Sequence, residues 1–508
     1  MPQEFQTYLR RQRLQLEWIA LEKRGAVLVW CSEKIGTWDG VRAQVAFSRD
    51  RIGLSFDTPV GRLLRLVRAL ECTTEGARVI LAGARGRGVE TLDIVWKEAG
   101  KSVAPPGDLL DLARSWLRQH MPGAGILSCS RRSDRAHSLS RFFLRVHARF
   151  RQRDYLILAA PAEPNKDRTP EMLTQALIWA KILAKRGRLR STPTAVLLAP
   201  WEQSAELYNR IRCIDKARAR IELWEYQPCG RAWRLRKAPP PPLPVEHRDY
   251  CWPAMGPFRW SRMLADVLDL APADIRRHPR FCEFDSLRLR GLEFARAEGT
   301  ARDRVTFGIG PRRAELTAHN FDQLRELVEG ILYYRRPDSP DPHHRYYQLQ
   351  SERWLESLML DEMTRLFPEL APGSVYSQIP VYLGSARGRV DILGADADGT
   401  LLIMELKVTE DAGLPLQALD YWGRVIRHNL SGDFGRRGYF SEVRLNRQRP
   451  MVYLVSPVFS FHDTTESVLD FVSPGIEVWK ISINTDWRCG VKILDRTHVK
   501  RSSRTGSR

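Results

Sequence analysis

Two runs, Gly388-Arg389-Val390-Asp391-Ile392-Leu393 and Leu401-Leu402-Ile403-Met404-Glu405-Leu406-Lys407, decide the fold of the last third of the chain. Both are apolar and strand-length, and the Asp398-Gly399 pair between them marks a tight hairpin turn. On a strand, Glu405 and Lys407 face one way and Leu406 the other. Asp391 precedes Glu405 by fourteen residues, the separation a hairpin with that turn needs to bring the two carboxylates together. Upstream, a strand Ile379–Leu383 turns through Gly384–Gly388 into a strand Arg389–Leu393. Before it, a helix Ser351–Leu366 carries Glu352 and Glu356 at i,i+4 on one face. Downstream, Pro415 opens a helix Leu414–Asn429 with Gln417 and Tyr421 at the same spacing.

A Glu and a Lys inside an apolar strand are costly unless paired or metal-bound. Two carboxylates with a common focus, Asp391 and Glu405, make a hard oxygen site for Mg²⁺, which keeps waters for a substrate's phosphates. A lysine beside them can hold a water and offset charge on a phosphorane. A buried structural Glu–Lys pair is the bland alternative. It leaves Asp391, the upstream acids and the Gln/Tyr helix unexplained.

These motifs, in this order, resemble the PD-(D/E)xK restriction-endonuclease-like superfamily, nearest to its NucS-type and RecB-type nuclease domains. The resemblance covers roughly the last third of the chain. It implies an αβββαβ core with a mixed sheet, Mg²⁺ or Mn²⁺ dependence, and cleavage leaving 5′-phosphate ends. It also implies Asp391 and Glu405 as metal ligands, Lys407 as catalytic lysine, and Gln417 and Tyr421 as the helix motif that steadies site and DNA. The helix acid is Glu356 or Glu352, with Glu356 preferred. The proline of the family name is absent, since Val390 precedes Asp391.

Asp396, Asp398, Gly399 and Glu405 nearly spell a calcium loop, but Gly394 stands where its first Asp belongs. No GxSxG occurs, and the eleven histidines show no catalytic arrangement. Eight cysteines without a CxxC exclude a zinc ribbon and give no disulfide framework. The glycines at Gly83–Gly88 miss the phosphate-loop spacing and read as a hairpin turn. Without an apolar signal segment or a membrane-length apolar run, the expectation is a soluble, cytoplasmic protein.

With 508 residues, 43% apolar and 28% charged, the chain is globular and several domains long. The expected class is α/β multidomain. Residues 1–125 form an N-terminal α+β module of unassigned role, opened by a helix over 3–24. Residues 126–228 form a basic α/β module, 229–257 a proline-rich linker, and 258–345 a small α+β module. Residues 346–495 form the nuclease-like domain, and 496–508 a basic disordered tail.

The net charge is +20, which points to a polyanion, DNA first with RNA open. It is unevenly spread: residues 126–228 hold 20 Lys+Arg against 10 Asp+Glu, while 346–495 hold 15 against 20. Arg141, Arg145, Arg149, Arg151 and Arg153, interleaved with Phe142, Phe143 and Phe150, are the candidate phosphate-tracking residues. Gln175-Ala176-Leu177-Ile178-Trp179 echoes Gln417-Ala418-Leu419-Asp420-Tyr421, each followed by strand, helix, and a strand ending in Ile221-Glu222 or Ile476-Glu477. Ala159-Ala160-Pro161 then falls where the second copy has Glu405-Leu406-Lys407, so 126–228 reads as a degenerate nuclease-like module. The leading function is a metal-dependent DNA endonuclease. The alternatives are a non-catalytic nucleic-acid-binding protein and a partner-activated scaffold of a repair or defence complex. A homodimer and a protein partner on the proline run Pro239–Pro244 are both compatible with the sequence.

Overall fold

The computed structural model describes residues 16, 27–30, 33–37, 42–47, 52–58, 61–72, 76–82, 89–95, 108–162, 168–229, 232–240, 261–280, 284–298, 304–310, 313–383 and 386–499. Outside these lie most of the expected first helix, the Gly83–Gly88 turn, part of the proline run and residues 500–508 of the C-terminal tail, whose residues 496–498 are not disordered but end the strand Ile493–His498. Four sheets and eleven helices among the described residues make a mixed α/β multidomain chain. None of those helices is long and apolar enough to cross a membrane. The chain divides into two units, Met1–Ala104 and Pro105–Arg508.

The first unit holds an antiparallel sheet of β1 (Val27–Trp30), β2 (Glu33–Thr37), β3 (Gln44–Phe47), β4 (Ile52–Thr58), β5 (Gly61–Cys72), β6 (Gly76–Ala82) and β7 (Val89–Val95), in the order β2-β1-β7-β6-β5-β4-β3. Leu28, Leu54, Phe56, Val79, Leu81, Leu92 and Ile94 form its core.

The second unit opens with α1 (Leu109–His120), capped by Asp108, whose carboxylate accepts from the Leu110 and Asp111 amides. Its first sheet runs in sequence order: β8 (Gly125–Ser130), β9 (Leu144–Phe150), β10 (Arg153–Ala159), β11 (Thr194–Pro200), β12 (Arg220–Cys229) and β13 (Ala232–Lys237). The sheet thus continues past residue 228. Helix α2 (Met172–Lys185) joins β10 to β11, and α3 (Ala205–Ile211) joins β11 to β12. Thr169 starts a short 3₁₀ turn ahead of α2 and donates to Gln203.

Next come α4 (Arg262–Leu268) and an antiparallel meander of β14 (Ile275–Arg280), β15 (Phe284–Leu289), β16 (Leu292–Glu298), β17 (Arg304–Phe307) and β18 (Ala314–Glu315), with α5 (Phe321–Tyr334) packed on it. The apolar run Leu287–Phe294 is a hairpin rather than one strand, because Arg290 and Gly291 both turn through positive φ.

The C-terminal part comprises α6 (Arg345–Gln348), α7 (Ser351–Asp361), α8 (Met363–Leu366), β19 (Leu370–Leu383), β20 (Ala386–Asp396), β21 (Leu401–Leu406), α9 (Leu414–Leu430), α10 (Asp433–Arg436), β22 (Met451–Pro457), α11 (Thr465–Leu469), β23 (Val478–Ile483) and β24 (Ile493–His498). The expected helix Ser351–Leu366 breaks at Glu362, whose φ and ψ leave the helical region. The Asp398-Gly399 turn closes the hairpin: Gly399 donates to the Asp396 carbonyl, and Asp396 caps the Thr400 amide. Those acids serve a hairpin, not a calcium loop.

The two six-stranded sheets are built alike. In each, strands follow sequence order, and the pairings run antiparallel, antiparallel, parallel, parallel, antiparallel. In each, a long helix crosses between the third and fourth strands, followed in the second sheet by the short α10, and a shorter helix crosses between the fourth and fifth. The central parallel strands are continuous apolar runs, as burial on both faces requires, and both β11 and β22 end in proline. The copies pack reciprocally, α3 against α9 and α2 against α11. Ile214 bridges Val472 at matching distances beyond α3 and α11; the Asp215 amide donates to Phe471 and the Ser473 amide to Cys213. This is the geometry of a two-fold contact inside one chain.

Candidate active site

Strands β20 and β21, with helices α7 and α9, bring Asp391, Glu405, Lys407, Glu356, Glu352 and Tyr421 to one place. Ile392 pairs with Met404, so Asp391 and Glu405 flank that pair, and the Leu406 amide donates to Asp391 Oδ2 at 3.0 Å. Lys407 Nζ lies 3.7 Å from Glu405 Oε1 and 3.5 Å from Glu352 Oε1. Gln417 donates to the Tyr421 hydroxyl at 3.3 Å, and Tyr421 feels the Glu405 charge, though burial does more to push its phenol up to about 12. Gly388 lets α9 sit this close: a Cβ there would stand 2.6 Å from the Tyr421 ring.

Three contributors are absent from the sequence reading. Arg353 donates to Glu356 Oε2 at 2.6 Å and to Asp391 Oδ1 at 3.1 Å, bridging them. Gln378, at φ +57, donates to the same two oxygens at 3.0 and 3.2 Å. Arg288 on β15 approaches Glu356 Oε1 to 4.0 Å. The signal for Arg353 was its i,i+3 spacing to Glu356. Gln378 and Arg288 had none, since backbone strain and a neighbouring sheet bring them in. The meander also fixes α7: a Cβ on Gly291 would lie 2.1 Å from the Arg353 carbonyl, and buried Arg335 donates to the Tyr346, Leu349 and Gln350 carbonyls.

Both helix acids reach the site, on different partners: Glu352 meets Lys407, and Glu356 meets Arg353. Glu405 and Glu356 are each 1% exposed, and burial pushes both carboxyls up, Glu356 to about 7 and Glu405 well above its ordinary value. Burial raises Asp391 too, against Arg353 and the Leu406 amide. Burial pulls Lys407 down, but Glu405, Glu352 and Asp391 outweigh it and hold the ammonium charged.

Glu405 Oε2 and Glu356 Oε1 are buried without a hydrogen-bond partner. Unsatisfied buried carboxylate oxygens are expensive, and as hard donors they suit a small divalent cation. Among the described residues, no three His, Cys, Asp or Glu side chains already form a metal cage. Arg353 and Lys407 stand among the acids instead. By donor chemistry the oxygens suit an oxygen-preferring cation, but as arranged they form no group that could hold one among the described residues, and Arg353 and Lys407 neutralise the acids in its place.

The arginine run meets three fates. Arg141, Arg151 and Arg153 are exposed, with Arg151 over the Phe150 ring. Arg149 binds Asp154 Oδ1 at 2.8 Å. Arg145 is 4% exposed and donates to the Ser140 carbonyl at 2.6 Å and to the Arg132 carbonyl. Leu144, Val146 and Ala148 pack with Leu112 and Trp116 of α1, and Arg145, His147 and Arg149 alternate onto the other face, where Arg145 and His147 are buried and Arg149 is partly exposed.

The ladders also shift the echo by one residue. Tyr155–Ala159 pair with Thr194–Leu198 as Leu402–Leu406 pair with Met451–Val455, and the next amides, Ala160 and Lys407, donate to Leu198 and Val455. Glu405-Leu406-Lys407 therefore matches Leu158-Ala159-Ala160, not Ala159-Ala160-Pro161, and Ile221 matches Val478 rather than Ile476. The segment from strand to helix is longer in the first copy, so only the ladder fixes which residues correspond. Arg145, paired with Leu158, takes the place of Asp391.

No family model and no curated protein matches this sequence. A solved structure described as "Structure of EndoMS-dsDNA2 complex" aligns at 13% identity over 37% of this chain and 84% of that chain, with a TM-score of 0.14. A likeness at that score carries no weight for fold or function.

Proposed function

We propose that the chain is a metal-dependent nuclease hydrolysing phosphodiester bonds in DNA, with the C-terminal sheet cutting and the basic first sheet contributing grip. The observation that carries this reading is the convergence of Asp391, Glu405 and Lys407 with two buried carboxylate oxygens that accept no hydrogen bond. Asp391 and Glu405 would hold Mg²⁺ or Mn²⁺, with Glu356 behind them. When bound, the metal supplies a Lewis acid and a water of lowered pKa. Lys407, kept charged by its acidic neighbours, orients the attacking water and offsets charge on the phosphorane. The Leu406 amide fixes the Asp391 carboxylate, so its aim does not depend on solvent. Gln417 orients the Tyr421 hydroxyl at the edge of the site, where it can donate to a substrate phosphate.

The test is Mg²⁺- and Mn²⁺-dependent cleavage across end-labelled duplex, branched, mismatched and single-stranded substrates. Asp391→Ala, Glu405→Ala and Lys407→Ala serve as controls. Undiminished cleavage in all three folded variants sinks the assignment. The Arg353 bridge favours one second reading, a site at rest until nucleic acid or a protein partner draws Arg353 away. Arg353→Gln then raises cleavage without a partner, whereas a fall places Arg353 in the working site.

A further inference from the structure

The first sheet carries a cavity of about 430 Å³ where its twin carries the acid cluster. That volume lies within the range of small-molecule sites. Its wall includes Arg145, the counterpart of Asp391, and Trp179, the counterpart of Tyr421 by the helix echo. Arg132 and Arg186 join them, with Ser130 among the hydroxyls. None of the three arginines makes an ion pair within 4 Å among the described residues; Arg145 donates to two backbone carbonyls and, like Arg186, feels the charge of Asp134 at longer range. Asp134 is the one acid in the wall, and it is occupied by His137 at 2.9 Å. Gln175, the counterpart of Gln417, accepts from the Ser140 amide and donates to the Ser138 carbonyl, so it pins the loop beside the cavity.

One carboxylate, Asp134, stands against three guanidiniums here, and a buried guanidinium without a close carboxylate is costly unless an anion completes it. Guanidinium forks match phosphate oxygens in pairs, and serine hydroxyls add neutral donors. The apolar wall beside Trp179 leaves room for a nucleoside next to the phosphate. We infer that this cavity binds a phosphomonoester: where one repeat gathers carboxylates, the other gathers guanidiniums that take the phosphate of a nucleotide. The inference stands apart from the nuclease reading, because it uses none of the acidic residues.

The nucleotide is either a strand terminus or free in solution, and a binding experiment separates the two. The full chain is titrated in EDTA, so that no cleavage intervenes, with a labelled short single strand bearing a 5′-phosphate or a 5′-hydroxyl. The expected result is at least tenfold tighter binding of the phosphorylated strand. Adenosine monophosphate and inorganic phosphate then compete at millimolar concentration. Efficient competition by the monophosphate assigns the site to free nucleotides, and weak competition assigns it to strand ends. Arg145→Gln should abolish the preference. Because that change is buried, Arg132→Glu with Arg186→Glu at the exposed lip provides a second variant. Equal binding of the two strands with no competition, or a preference that survives the lip variant in folded protein, overturns the inference.

Discussion

The two six-stranded sheets share strand order, strand direction and crossover helices, yet they hold opposite charge at the same ladder position. Where one has Asp391, Glu405 and Lys407, the other has Arg145, Leu158 and Ala160. The scaffold tolerates either set because the difference lies at one point on the sheet, while cores of the same kind fill both. Leu112, Trp116, Val146 and Ala159 do for the first sheet what Leu355, Met359, Ile392 and Leu406 do for the second. Chemistry is grafted onto the fold rather than dictated by it.

The largest expected effect breaks the comparison or keeps it. Asp391→Ala, Glu405→Ala and Lys407→Ala should each lower metal-dependent cleavage by about a thousandfold, ~4 kcal/mol of barrier. EDTA should do the same to the wild type. If Arg145→Gln lowers the turnover of bound substrate as far as Asp391→Ala does, the two sheets do not divide the work.

Asp154 sharpens the comparison from the stability side. Its carboxylate is fully buried and serves His147 Nε2 at 3.0 Å, Arg149 at 2.8 Å and the Arg190 amide at 2.6 Å. Asp154→Ala should cost about 3 kcal/mol, since it strands a buried charge network. Burial alone would push this carboxyl up, but the Arg190 amide, His147 and Arg149 outweigh it and hold it below its ordinary value. A depressed carboxyl stabilises fully above its unfolded value, about 3.9, and loses that contribution as pH falls through its folded value. Acid unfolding of the wild type should therefore be steeper than that of Asp154→Asn, as followed by circular dichroism.

Between the sheets, Arg424 pairs with Asp420 at 2.6 Å and reaches across to Glu206 at 3.2 Å, while Asn209 donates to Asp420 at 2.7 Å. Arg424→Ala should remove about 3 kcal/mol and split one thermal transition into two. A single transition at a lower midpoint would show that the paired helices hold the sheets together without this network.

How much of this was legible is uneven. The hairpin, the Asp391/Glu405/Lys407 set and the Gln417/Tyr421 helix follow from periodicity, one Asp-Gly turn and charges in apolar runs. Strand β13 was hidden, because Trp233-Arg234-Leu235-Arg236 lies where the chain was read as linker before the proline run. The fate of Arg145 was hidden too. A basic residue on a strand reads as exposed until the face it points to is covered, and only the packing of α2 shows that Arg145 is buried. Arg353, Gln378 and Arg288 converge through tertiary packing, which no local pattern encodes.

The smallest effect settles which helix acid matters. Glu356 is buried and reaches Asp391 through Arg353, so Glu356→Gln should lower cleavage by about a hundredfold, ~3 kcal/mol. The Glu352 side chain is 40% exposed and touches only the Lys407 ammonium, at 3.5 Å. A half-exposed ion pair is screened and worth about 1 kcal/mol or less, so Glu352→Gln should cost tenfold at most, and less as salt rises. Lys407 keeps Glu405 as its second partner, so its charge survives the loss. Single-turnover cleavage at two ionic strengths separates the cases. A Glu352 effect that exceeds the Glu356 effect and ignores salt makes Glu352 the acid that reaches the reacting centre. If both variants are silent, α7 only braces Arg353, and the working site is carried by the β20–β21 hairpin alone.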